Sequence, residues 1–391
     1  MSSKKHASTA PPSFASGSTI GILGGGQLAR MLCMVAQRMG YRTLVWTGGQ
    51  EAPAAAICDE FLDEPFDSLA ALERFISLAD VATVEFENIP AAALDAVEQS
   101  LPLRPNARAI RICANREAEK SFLRSQGIPC APFWIISSAE ELAAAMQELH
   151  GPGVLKTSAF GYDGKGQRKL DGSEDPIRIW HEFSAPRAIL EGFICFEREL
   201  SIMIARSANG DVRCFDPVEN LHRHHILDLT IAPAQISDDL LDCMKEIATR
   251  IAVAFDYVGI MGVEFFLDPV NGIIVNEMAP RPHNSGHHTI DACYTSQFEQ
   301  QLRAVCGLPL GSTKLLSPCV MLNLLGDMWP AENQQPDWQE LLADGACCLH
   351  LYGKKRAVQR RKMGHATFLG EDALARVTSV KNQLLTKGQT L

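Results

Sequence analysis

Gly262 to His288 read GVEFFLDPVNGIIVNEMAPRPHNSGHH. Two apolar runs flank DPVNG, the pattern of a β-hairpin. If Pro269 to Gly272 form the loop, Asp268 pairs with Ile273, and Glu264 falls directly across from Glu277. Opposed carboxylates repel. Such a pair is kept where a cation sits between its members, and an all-oxygen donor set selects magnesium or manganese over zinc. A register one residue different sets Asn276 opposite Glu264 instead, and two unrelated strand glutamates are the plain alternative.

The histidines nearby, His222, His224, His225, His283, His287 and His288, lack the spacing of a structural zinc site. Upstream, AILEGFICFERELSIMIAR places Glu191 and Glu199 on what reads as one hinge strand. Their carboxylates suit ribose hydroxyls or plain solvation. GVLKT is a short strand that delivers Lys156, and the glycine-rich KTSAFGYDGKGQ follows it. Glycine clusters cost backbone entropy, so one beside two lysines suggests close approach of a phosphate; a surface turn is the bland reading. Ser138 and Glu141 form a capping box at the start of the preceding helix.

Near the N-terminus, TIGILGGGQLARMLCMVAQRMGYRTLVW reads as strand, glycine turn, helix and strand. Gly24, Gly26 and Ala29 match a dinucleotide fingerprint. The second strand ends LVWTGGQ, without the acid that would hold a ribose 2′-hydroxyl. A structural turn, its helix N-terminus free to hold some anion, is therefore favoured over a dehydrogenase. A third strand, VATVEFEN, completes this unit.

The chain has 391 residues, 46% hydrophobic and 21% charged, with a formal charge of -10. These values fit a globular protein of roughly two or three domains. They argue against a general nucleic-acid or membrane role. Twelve cysteines without a Cys-x-x-Cys pair suggest reduced thiols and a cytoplasmic protein. Residues 1–18, small and polar, read as a disordered tail. The one basic run, Lys354 to Lys362, could be a solvated hairpin, a nucleic-acid patch or a pocket for a phosphate monoester. In an otherwise acidic chain, the pocket is the reading adopted.

Taken together, Lys156, the glycine loop, Glu191, Glu199, Glu264 and Glu277 resemble an ATP-grasp ligase. GILGGGQLARML, VEFEN, GYDGKGQ, NEMAPRPHNSGH, TSQFEQQLRAV and HLYGKKRAVQRRKMGH are similar, more narrowly, to the 5-(carboxyamino)imidazole ribonucleotide synthases of purine biosynthesis, over about residues 19 to 380. The resemblance implies an α/β ATP-grasp fold: a Rossmann-like N-terminal domain (19–120), an ATP-grasp domain (121–315) and a small C-terminal domain (316–391). It implies a homodimer that uses ATP, Mg2+ (or Mn2+), bicarbonate and 5-aminoimidazole ribonucleotide, with carboxyphosphate as intermediate.

By the same resemblance, Arg116 and Lys156 contact ATP phosphates. Gly161, Tyr162, Asp163, Gly164, Lys165, Gly166 and Gln167 form a lid over them, expected to close when the nucleotide binds. Glu191, Gly192, Phe193 and Ile194 border adenine, and Glu199 takes the ribose. His222 and Asn276 are further nucleotide contacts, and Glu264 and Glu277 hold the metal. Arg281, His283 and Asn284 hold bicarbonate, Tyr162 and Asp163 face the imidazole, and Lys354, Arg361 and Lys362 surround the ribotide phosphate. Another ribotide ligase of the superfamily, such as a formate-dependent glycinamide ribotide transformylase, or a nucleotide sensor on the same fold is the alternative.

Overall fold

The computed structural model describes residues 12–159, 166–331 and 334–388. A four-stranded parallel sheet opens the chain, in the order Glu60–Leu62, Arg42–Trp46, Thr19–Leu23 and Val81–Val84. Its outermost strand, Glu60–Leu62, is too short to leave an alternating pattern. Helix Gln27–Arg38 buries Leu28, Met31 and Leu32 against the sheet, the face that helical spacing of these residues demands.

The glycine turn before this helix meets an anion from its own chain. Glu85, just beyond strand Val81–Val84, accepts the amide of Gly26 at 2.6 Å and that of Ala29 at 3.1 Å. A Cβ on Gly26 would lie 2.5 Å from Glu85 Oε1, so glycine is required for this approach. The helix N-terminus holds a carboxylate as its physics favours.

A second sheet of four antiparallel strands runs Phe133–Ile136, Ala188–Gly192, Gly153–Thr157, Gln167–Leu170. Lys156 pairs with Gln167 at the loop end of its hairpin. Ser138 Oγ caps helix Ala139–Leu149 by accepting the Glu141 amide, but the Glu141 carboxylate turns back to Ser137 N and Oγ, both at 2.7 Å. The expected box is thus half Ser138 and half Ser137.

The third sheet is antiparallel and nine-stranded. From one edge it runs Gly272–Ala279, Gly259–Asp268, Arg198–Arg206, Val218–Arg223, Ile226–Ala232, Cys319–Leu325, Lys362–Leu369 and Cys347–Leu351, and Val212–Cys214 pairs with Arg198–Arg206. It crosses residues 315 and 316, so the C-terminal strands extend the same sheet. Helix Asp238–Ala254 covers it through Met244, Ile247 and Ile251, with Phe122 and Leu123 of helix Arg116–Ser125 in the same core.

Residues 12–18 do not trail off as expected of a tail. Phe14 donates its amide to Cys306 O at 2.9 Å and accepts from the Tyr41 hydroxyl at 2.8 Å. Helix Gln297–Val305 then ties the N-terminal unit to the large sheet: Gln301 donates to Thr83 Oγ1 at 2.7 Å and accepts from Ile260 N at 2.6 Å. No helix among the described residues is long and apolar enough to cross a membrane.

Candidate active site

The hairpin at residues 259–279 turns more tightly than its sequence suggests. Asp268 pairs with Gly272, leaving three residues in the loop rather than the four expected. The Asp268 carboxylate takes the amides of Val270 and Asn271 at 2.9 and 2.7 Å, and Gly272 adopts φ +73°. Continued unbroken, this register would place Asn276 opposite Glu264. A bulge between Glu264 and Phe265 absorbs Asn276, and Glu264 faces Glu277 after all. Bulges re-aim side chains in this way beside functional sites. A second one, opposite Leu221 and His222, absorbs Asp228 of strand Ile226–Ala232.

The consequence is electrostatic. Burial, with Glu277 opposite, pushes the Glu264 carboxyl up to about 7. A cation between the two carboxylates would offset both effects, and two hard oxygen donors suit Mg2+, which commonly takes one or two carboxylates and completes its shell with phosphates and water. Among the described residues no group of three or more His, Cys, Asp or Glu side chains is arranged to hold a metal.

On one side of the pair, His222 Nδ1 lies 2.5 Å from Glu199 Oε2. Burial lowers the His222 pKa, but the hydrogen bond and charge of Glu199 outweigh it and the net shift is upward. Glu191 and Glu199 do not share a hinge strand. Glu191 ends strand Ala188–Gly192 of the four-stranded sheet, and Glu199 starts strand Arg198–Arg206 of the nine-stranded one. Gly192, Phe193 and Ile194 span the exit between them, with Phe193 exposed and its ring 3.9 Å from Lys169 Nζ.

Glu191 itself is buried. Its Oε2 accepts from Lys156 Nζ at 2.8 Å and faces Lys120 Nζ at 3.9 Å, while its Oε1 has no protein partner. Burial would raise this carboxyl, yet Lys120 and Lys156 together hold it below the usual range. Arg116 stands at the same end, donating to Thr157 O at 3.1 Å.

On the other side, Arg281 binds Glu87 through Nε at 2.7 Å and NH2 at 3.3 Å. Burial opposes the Arg281 charge, but Glu87 overrides it and raises its pKa. His283 Nε2 lies 3.4 Å from Glu264 Oε1. Burial, reinforced by Arg281, holds His283 well below its ordinary pKa, so it is neutral near pH 7. Asn284 follows at the start of the 3-10 turn Asn284–Gly286.

The basic segment lies over the N-terminal unit. Arg361 pairs with Glu51, whose other oxygen accepts the Lys355 amide at 3.0 Å. Lys354 donates to Lys362 O at 2.7 Å, and burial beside Arg361 lowers its pKa to about 8. Lys362 opens strand Lys362–Leu369. Gly166 and Gln167 sit at the base of the glycine loop, whereas Gly161, Tyr162, Asp163, Gly164 and Lys165 lie outside the described residues.

Five partners were not anticipated as site residues: Glu51, Glu85, Glu87, Glu119 and Lys120. Lys120 donates to Asn276 O at 2.8 Å, and Glu119 accepts the Met278 amide at 2.6 Å, so together they grip the bulged strand. Burial pushes the Glu119 carboxyl up to about 8 against the pull of Lys120. A signal for this pair existed, since Glu119 falls at helical spacing with Phe122 and Leu123 on the buried face. Glu85 and Glu87 lie in VEFEN, a motif the sequence offers without a role for either, and Glu51 left no local trace.

Two sheets joined through residues 193–197, with paired lysine and glutamate on one and opposed glutamates on the other, are the arrangement of an ATP-grasp enzyme. Residues 121–298 match the ATP-grasp domain family, 17–114 the ribonucleotide synthetase preATP-grasp domain and 319–377 the phosphoribosylaminoimidazole carboxylase C-terminal domain. The chain is 44% identical to the N5-carboxyaminoimidazole ribonucleotide synthase of Brucella melitensis, over 90% of this chain and 96% of that protein. To the Bacillus subtilis enzyme of the same name it is 38% identical, over 95% and 96%. Among solved structures, the Aspergillus clavatus synthase in complex with ADP and 5-aminoimidazole ribonucleotide superposes with a TM-score of 0.83 at 29% identity, over 94% of this chain and 99% of that one. The chain belongs to the N5-carboxyaminoimidazole ribonucleotide synthase family.

Proposed function

We propose that this protein carboxylates the amine of 5-aminoimidazole ribonucleotide with ATP and bicarbonate, through carboxyphosphate, in de novo purine biosynthesis. The observation that carries the reading is the placement of Arg281 and His283 directly beside the Glu264–Glu277 pair. A bicarbonate held by Arg281, His283 and Asn284 would sit next to a γ-phosphate held at the carboxylate pair. Glu264 and Glu277 would hold Mg2+, which supplies charge neutralisation at the transferring phosphoryl group.

At the nucleotide end, Lys156 and Arg116 bind phosphates, Glu191 to Ile194 border adenine, and Glu199 with His222 receives the ribose. The partnerless Glu191 Oε1 fits a hydrogen-bond donor of the nucleotide. A bicarbonate oxygen attacks the γ-phosphorus and ADP leaves. The ribotide amine then attacks the carboxyl carbon, loses a proton, and phosphate departs with the bicarbonate oxygen that had bonded to phosphorus. Tyr162 and Asp163 would face the imidazole, and Lys354, Arg361 and Lys362 would bind the ribotide phosphate. Fixed charges of this kind suit a phosphoryl transfer, which needs alignment and neutralisation more than a strong base.

The domain limits 19–120, 121–315 and 316–391, a cytoplasmic location and a homodimeric assembly are part of the same proposal, and sedimentation at working concentration tests the last. The chemistry is tested with bicarbonate carrying labelled oxygen. Released phosphate should contain one labelled oxygen, and ADP release should require both bicarbonate and 5-aminoimidazole ribonucleotide. Unlabelled phosphate would remove carboxyphosphate from the scheme. Equal turnover with glycinamide ribonucleotide would remove the substrate assignment.

A further inference from the structure

The peptide N–H of Ser285 is directed at His283 Nδ1 over 3.4 Å, and Ser285 Oγ lies 2.9 Å from the same nitrogen. A peptide N–H only donates, so Nδ1 accepts and the ring proton sits on Nε2. The same direction is imposed from the far end of a buried chain of polar groups. Thr230 Oγ1 donates to Asn220 Oδ1 at 3.1 Å, Asn220 Nδ2 to Ser201 Oγ at 2.9 Å, and Ser201 Oγ to Ser285 Oγ at 2.8 Å. A hydroxyl has one proton. Having accepted from Asn220, Ser201 passes its own to Ser285, and Ser285 has its proton left for Nδ1. With the Asn220 amide flipped, the sequence of donors would reverse and set two N–H groups against each other at Nδ1.

The chain lies in the core: Thr230, Ser201 and Ser285 are fully buried and Asn220 is nearly so. Ser201 is also the register partner of Glu264 on the neighbouring strand, so the network is anchored to the strand that carries the carboxylate. Gln297 holds the backbone of His283 from both sides, accepting its N–H at 2.8 Å and donating to its carbonyl at 2.8 Å. Ring orientation and ring proton are thus set by separate contacts, and the Nε2 edge is turned toward Glu264 Oε1.

We propose that Thr230, Asn220, Ser201 and Ser285 are positioning residues that lock His283 in its Nε2–H tautomer, making it a fixed hydrogen-bond donor to the oxygen held beside Glu264. In that state the Nε2 edge offers a bicarbonate or carboxyphosphate oxygen a donor and cannot take a proton from it. What the ring holds rests on the function proposed above; the tautomer does not.

Ring-nitrogen NMR of histidine-labelled protein tests the tautomer, with the His283 signals assigned by their loss in His283→Gln. The expected spectrum has an unprotonated Nδ1 and a protonated Nε2. Ser201→Ala and Ser285→Ala each keep the long Ser285 peptide N–H contact but disrupt the hydroxyl proton presented to Nδ1, so each should admit a second, Nδ1–H population and lower kcat by about tenfold or more, with KM for ATP unchanged. A proton on Nδ1 in the native protein overturns the proposal, as does an unchanged spectrum in both variants. Failure of the bicarbonate reading looks different: His283→Gln would then keep its bicarbonate-dependent turnover, whatever the tautomer.

Discussion

The proposed nucleotide end and the proposed ribotide end of this site both gather positive charge, but they are built in opposite ways. At the nucleotide end, Lys156, Lys120 and Glu191 come from regular strands and a helix, and all three are largely buried. Their charges are compensated within the core before any ligand arrives. At the ribotide end, Arg361 reaches from the basic segment to Glu51, far away in sequence, and both side chains stay partly exposed. Its charge is borrowed by a neighbour that, on the proposed function, a ligand phosphate would replace. The first arrangement favours rigidity and a fixed position; the second leaves a cation that can exchange partners.

Between the two ends lies the carboxylate pair, and its loss should have the largest effect. Glu264→Gln or Glu277→Gln should lower kcat by about a hundredfold or more, because each carboxylate would hold the metal that neutralises charge at the reacting phosphate. Steady-state ADP release decides this, and near-native turnover in either variant would undo the metal assignment.

A crossed pair of variants addresses the contrast directly. Lys156→Ala should raise KM for ATP and leave that for the ribotide unaltered. It should also lower Tm, since Glu191 loses its nearest partner, with Lys120 left at 3.9 Å. Arg361→Ala should do the reverse, raising KM for the ribotide by about tenfold, or ~1.4 kcal/mol, with little change in Tm or in KM for ATP. If both variants shift the same constant, the ends are not separate sites.

Lys354 gives the ribotide end a pH limb. Burial and Arg361 lower its pKa to about 8, so the ammonium is present below that pH and is lost as pH rises through it. In free enzyme, kcat/KM for the ribotide should therefore fall above about pH 8, while KM for ATP stays level. Lys354→Arg, which keeps its charge, should remove the limb. A profile identical in native and variant protein would place the titrating group elsewhere.

The smallest effect concerns the borrowed charge. Glu51→Gln should release Arg361 and lower KM for the ribotide by about two- to fivefold, the scale of a partly exposed ion pair. An increase would mean that Glu51 positions the arginine rather than competing for it.

How far each feature could be read follows from the distance over which it is decided. The strand–turn–helix at residues 19–38, the strand carrying Lys156 and the hairpin at 259–279 are legible because hydrophobic period and turn residues act over a few positions. The opposition of Glu264 and Glu277 was legible only in outline. Its expected route was a four-residue loop, whereas Asp268 tightens the turn and a bulge at Asn276 restores the pairing. That bulge is held by Lys120 and Glu119 from a helix about 160 residues away in sequence, and nothing in the hairpin itself encodes it.

The amino-acid sequence alone determined the local elements and the chemical types available to the site, because backbone sterics, helix capping and side-chain period are properties of short segments. Tertiary structure alone decided which charge answers which. Glu85 fills the helix N-terminus that a dinucleotide fold leaves for its ligand, Glu87 holds Arg281, and Glu51 holds Arg361. Such pairings join residues brought together by packing of separate sheets, and electrostatic attraction depends on distance in space, to which separation along the chain is no guide.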